Sequence, residues 1–240
     1  MRFHRLLCAL LLGLGSSTLA AQDLSPTAAD FSGLIYRRGS DKKELLFTLQ
    51  ARRQDTLWVD HYTDAKGADA VIERVFFKDH QVTRYEFDNV QQQGLGVMVV
   101  QGPQSVLSWT VAGKTVSKTM DTPGNLTFGP LYCGLLQARF ADLVAGKKVL
   151  GSVPVLTQDH LMTAELAFQR KQGLEKKDGR ICVSMKPANW FIALFFPPID
   201  LYFNQETKVL EDVHGVSLLK EKRGGDWKLT DVDLYYRYQP

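Results

Sequence analysis

The chain has 240 residues, with 29 Lys and Arg against 26 Asp and Glu, a formal charge of +3, and 45% hydrophobic residues. Such a length can bury a sizeable core. A near-balance of mixed charges excludes the basic patch that nucleic-acid binding needs, and no stretch after the first 20 residues is apolar enough to cross a bilayer as a helix.

The first 20 residues have the three parts of a secretory signal peptide. Arg2 and Arg5 come first, residues 6–14 are almost wholly apolar, and small residues follow with Thr18 and Ala20 at the −3 and −1 places. Cleavage after Ala20 is expected, leaving a single β-rich domain over residues 21–240 with a charge near +1. Cys8 lies inside the apolar run with no small residue before it, so it does not read as a lipid-attachment site. The expectation is a soluble protein of a bacterial periplasm.

Short alternating segments at residues 31–36, 44–50, 56–62, 71–77, 82–87, 95–100 and 105–111 predict strands, with another ending near Met120. Lys78-Asp79-His80-Gln81 and Gln101-Gly102-Pro103-Gln104 have the length and polarity of hairpin turns. The period then changes. Gly129-Pro130 opens a helix, because the missing N–H of proline costs nothing at a first helical position. Tyr132, Leu136, Phe140, Leu143 and Val144 follow at steps of three and four, on one face. Gly146 is a stop, and Lys147 and Lys148 suit the negative end of the helix dipole.

Strands resume at 149–156, 161–169, 180–186, 199–204 and 208–213, the last extended by 216–220. Between them, residues 189–196 form a short apolar run stopped by Pro197-Pro198. In the final strand Val232, Leu234, Tyr236 and Tyr238 share one face, and Asp231, Asp233, Tyr235 and Arg237 share the other, so one side is buried and one is wet. The fold class is mainly β with one main helix: an antiparallel curved sheet, a barrel or half-barrel, covered by that helix.

Two cysteines survive processing, Cys133 and Cys182. In an oxidising compartment an even pair invites a disulfide, which here would tie the helix to a late strand and stabilise by about 4 kcal/mol on a chain-entropy account. Two buried thiols are the alternative. Histidines follow aspartates at Asp60-His61, Asp79-His80 and Asp159-His160, and Asp212 and His214 share a strand face. None of these has the spacing of a zinc hydrolase, no Gly-x-Ser-x-Gly signals a serine nucleophile, and no metal or cofactor is expected. The aromatic run is the functional lead. Trp190, Phe191, Phe195 and Phe196, with Leu136 and Phe140 from the helix, are the candidate apolar contacts of a ligand, while core filling and docking on a membrane or partner are the alternatives.

The order of parts, with the helix ending Leu143-Val144-Ala145-Gly146-Lys147 and the late segment Leu201-Tyr202-Phe203-Asn204-Gln205-Glu206-Thr207-Lys208-Val209-Leu210, resembles exported bacterial proteins of unknown function. More distantly, the architecture is similar to periplasmic lipoprotein carriers, whose half-barrels hold acyl chains beneath a helical lid. That likeness implies a fold and no catalytic residue. Three classes follow: a periplasmic binding or structural protein holding an apolar small molecule such as a lipid chain, a module that binds another protein of the cell envelope, and a hydrolase with an unfamiliar site.

Overall fold

A computed structural model describes residues 30–129, 131–173, 179–194 and 196–238. The expected signal peptide over residues 1–20, Pro130 and Phe195 lie outside these. Eight strands come first: β1 (Phe31–Arg37), β2 (Leu45–Gln54), β3 (Leu57–Asp64), β4 (Asp69–Lys78), β5 (Gln81–Asn89), β6 (Gly94–Gln101), β7 (Gln104–Val111) and β8 (Lys114–Asp121). Two short helices follow, α1 (Tyr132–Ala138) and α2 (Phe140–Val144). The rest is β9 (Val149–Leu156), β10 (Leu161–Arg170), β11 (Arg180–Pro187), α3 (Trp190–Ala193), β12 (Ile199–Asn204), β13 (Leu210–Arg223) and β14 (Asp226–Tyr238).

All 14 strands form one antiparallel sheet in the order β8-β7-β6-β5-β4-β3-β2-β1-β14-β13-β12-β11-β10-β9. It is two meanders joined where the chain ends meet, Phe31 opposite Tyr238 and Arg37 opposite Val232. Strands adjacent in sequence pair because their connections are short. Lys78 faces Gln81 across a two-residue turn in which Asp79 and His80 both have positive φ, and Gln101 faces Gln104.

The sheet stays open, since no ladder joins its edges β8 and β9. It curls instead until β9 and β10 lie against β6, β7 and β8. Gly96 on β6 permits this approach: a Cβ there would stand 2.6 Å from Cβ of Leu156 on β9 and 3.2 Å from the Trp109 ring. Inside the curl, strand parity sorts the residues. Trp58, Val71, Val75, Met98 and Leu107 face inward and build a first core with Phe128 and Leu131 from the segment before α1.

The helix is broken where one continuous rod is predicted. Arg139 leaves helical geometry (φ −106°, ψ 19°), and its Nε donates to Asp142 at 2.6 Å. Leu135 and Leu136 of α1 and Phe140 and Leu143 of α2 all point into a second core, formed with Phe168, Ile181, Val183, Leu201 and Phe203. Burial of each such side chain stabilises by about 1.5–3 kcal/mol. The stop at Gly146 holds. Its φ is +76°, and its N–H donates to Leu143 O at 2.9 Å. Arg170 Nη1 donates to the Val144 carbonyl at 2.8 Å, which satisfies the helix end.

The expected disulfide is not formed: Cys133 and Cys182 are both thiols. Strand parity explains this correction. Ile181 and Val183 face the helices, so Cys182 between them points to the opposite side of the sheet, beside its cross-strand neighbour Tyr202. Cys133 packs on the helix side.

The curl makes Gly96 a sensitive position. Gly96→Ala should destabilise by about 1–3 kcal/mol through overpacking against Leu156, measured as a lower urea midpoint with an unchanged slope. A midpoint equal to that of the parent would show that β9 does not press on β6.

Candidate functional site

Residues 188–194 and 196–198 lie outside the sheet, between β11 and β12. Asn189 caps its single helical turn, accepting from the backbone N–H of Phe191 at 2.9 Å and of Ile192 at 3.4 Å. Ala188 N donates to Glu165 O at 2.8 Å, pinning the loop to β10. Pro197-Pro198 ends it, since proline has no N–H to continue a helix. The turn therefore holds its side chains in a fixed array, and that array faces water. Trp190 is 75% exposed, Leu194 69%, Phe191 57% and Phe196 52%, with the Trp190 and Phe191 rings edge to face at 5.9 Å.

The five predicted ligand contacts among the described residues do not meet in one place. Leu136 and Phe140 are buried in the second core, with the Phe140 ring 6.0 Å from that of Phe203. Trp190, Phe191 and Phe196 stand outside, and Phe195 lies outside the described residues. Two surface hollows lie at the other end of the sheet, and neither includes any of these side chains. One brings His80 near Asp55 and Asp79, without a hydrogen bond from the ring to either carboxylate. The other histidine–carboxylate pairs are His214 with Asp233 at 2.5 Å and His61 with Asp69 at 2.7 Å. Among the described residues, no three His, Cys, Asp or Glu side chains gather as a metal set.

A second feature escapes the sequence reading. Asp60 on β3 and Glu73 on β4 are direct cross-strand partners, and both face the interior. Trp58 Nε1 donates to Asp60 at 2.6 Å, and the Tyr85 hydroxyl donates to Glu73 at 3.0 Å. No cation pairs with either carboxyl among the described residues. Gly129, just before α1, rests on Glu73, where a Cβ would come within 2.6 Å of Oε2. Burial pushes the Glu73 carboxyl up to about 7, against the opposing effect of the Tyr85 donor. Burial, then the neighbouring Glu73 charge, pushes Asp60 well above the carboxylate range. The Cys133 thiol is likewise pushed up to about 12 by burial, which leaves little thiolate to act as a nucleophile. Parity held the signal for this pair: Asp60 sits between Trp58 and Tyr62, and Glu73 between Val71 and Val75, in inward series.

No protein-family profile and no curated protein sequence matches the chain. Among solved structures it is similar to a porin-like protein from Bacteroides uniformis ATCC 8492, with 6% identity, 89% of this chain and 98% of that chain covered, and a TM-score of 0.29. This is a distant likeness between β-rich chains. No described helix is long and apolar enough to cross a membrane.

The buried acids set a pH dependence. Glu73 keeps its proton to about pH 7 when folded but loses it near 4.5 when unfolded. The folded chain thus binds more protons between these values, so stability present below about pH 4.5 is lost as pH rises towards 7. Glu73→Gln keeps an acceptor for Tyr85 and removes the ionisation. It should exceed the parent in stability at pH 8, by up to about 3 kcal/mol, with a smaller difference at pH 5, both read by urea unfolding. Identical pH profiles for the two would contradict a buried, titrating Glu73.

Proposed function

We propose that this protein is an apolar-binding protein of the bacterial cell envelope, and that it engages lipid acyl chains at a membrane surface through residues 188–198. The observation that carries the reading is the exposure of Trp190, Phe191, Leu194 and Phe196 on one capped turn. Burying each such side chain would stabilise by about 1.5–3 kcal/mol. Leaving four of them in water is costly for a fold whose whole stability is of the order of 5–15 kcal/mol. An apolar surface that covers them recovers that energy.

Lipid suits this array better than a protein partner. Residues 187–199 carry no charge, and the side-chain oxygen of Asn189 is used for the cap. Protein interfaces carry roughly one hydrogen bond per 100–200 Å², and on this turn only the Trp190 indole and the Asn189 amide nitrogen are side-chain donors. Tryptophan is enriched where bilayer meets water. Export by the N-terminal segment would bring the loop to such a surface. The interior is occupied by α1, α2, Leu126, Phe128 and Leu131, so acyl contact on this reading is made at the loop and not within the sheet.

Leu194→Asp tests this reading. It should weaken flotation of the protein with phosphatidylcholine vesicles by about tenfold or more, the equivalent of one lost apolar contact. The urea midpoint should be unchanged, because the side chain is exposed. Equal flotation of variant and parent would sink the reading.

A further inference from the structure

The end of the sheet that carries residues 188–198 carries a second projection. In an antiparallel meander alternate connections lie at the same end, and this places the β13–β14 hairpin tip at the same end of the sheet as the β11–β12 loop. β12 stops at Ile199, which packs on Gly215; a Cβ there would be 3.1 Å from Ile199 Cα. β13 runs on from Val216 to Arg223 with β14 as its partner, beyond the last residue paired with β12.

The tip differs from the loop in charge. Residues 218–229 hold Lys220, Lys222, Arg223 and Lys228 against Glu221 and Asp226. Glu221 is already held by Arg37 at 3.0 Å and Arg223 at 2.7 Å, and Lys220 reaches Gln92 at 2.9 Å. Lys222 and Lys228 are exposed and enter no ion pair among the described residues. Leu218 (73% exposed) and Leu229 (44%) stand beside them. One end of the molecule thus joins an uncharged aromatic turn to a tip with exposed leucines and net positive charge. Interfacial protein segments on anionic bilayers share that composition.

We infer that the β13–β14 tip selects anionic lipid, with Lys222 and Lys228 facing phosphate headgroups while the aromatic loop enters the acyl layer. This rests on the lipid reading of the loop and adds the headgroup class. Each lysine close to an anionic surface strengthens binding several-fold, and salt weakens the effect.

The test compares flotation of the full chain with vesicles of phosphatidylcholine alone and of phosphatidylcholine mixed with phosphatidylglycerol, at low and high salt. The parent should prefer the anionic vesicles by roughly tenfold or more at low salt, and the preference should shrink at high salt. In the double variant Lys222→Glu and Lys228→Glu the ratio should fall to near one, with circular dichroism showing the fold intact. Equal binding of the parent to both vesicle types, or a preference that survives in the folded double variant, overturns the headgroup assignment and leaves the loop reading standing. Flotation with neither vesicle type overturns both and points this end of the molecule to a protein partner.

Discussion

A sheet of 14 strands that does not close must cover its inner face with its own chain, and the approach of β9 to β6 over Gly96 decides how this is done. Once the two ends of the sheet face one another, the remaining space is filled by Phe128, Leu131 and the two short helices. Val213 and Tyr236 pack on both cores and tie them together. The inside is therefore occupied, and close packing of this kind resists changes of even one methylene. An outward-facing function follows naturally from such an inside, because the apolar groups left to meet a partner are those on the loops and edges.

The dry interior also accounts for the acid pair. Two carboxyls on adjacent strands, with Trp58 and Tyr85 as donors, share a region without a compensating cation. Water would screen them; burial does not, and a proton is the cheapest way to remove the repulsion. Gly129 ties this electrostatic fact to the helices, because the chain enters α1 directly over Glu73. The region that titrates and the region that plugs the sheet are one piece of structure.

Much of this was legible in the residues. Period two marked the strands, and in β14 the split between Val232, Leu234, Tyr236 and Tyr238 and their alternate neighbours appears in the fold. Gly146 ended the helix for the reason its conformational freedom suggests. The break at Arg139 was not legible, because neither glycine nor proline marks it. Nor was the placement of Trp190, Phe191 and Phe196. Composition says that such residues prefer burial, but only the register of β11 and β12 shows that their connection projects past the sheet. The thiols failed to bridge because one residue of parity separates inside from outside. Asp60 and Glu73 were readable by the same parity rule, since polar residues in inward series have no other place to go.

The central claim is that the turn at residues 190–194 enters an apolar layer. A nitroxide placed by Ile192→Cys, with its exposure to oxygen and to a water-soluble nickel chelate measured by electron paramagnetic resonance on anionic vesicles, addresses it most directly. Immersion predicts that adding vesicles raises contact with oxygen and cuts contact with nickel, while the same label on the exposed turn residue Glu206, at the other end of the sheet, stays in water. Equal nickel contact at both positions, with and without vesicles, would contradict the account.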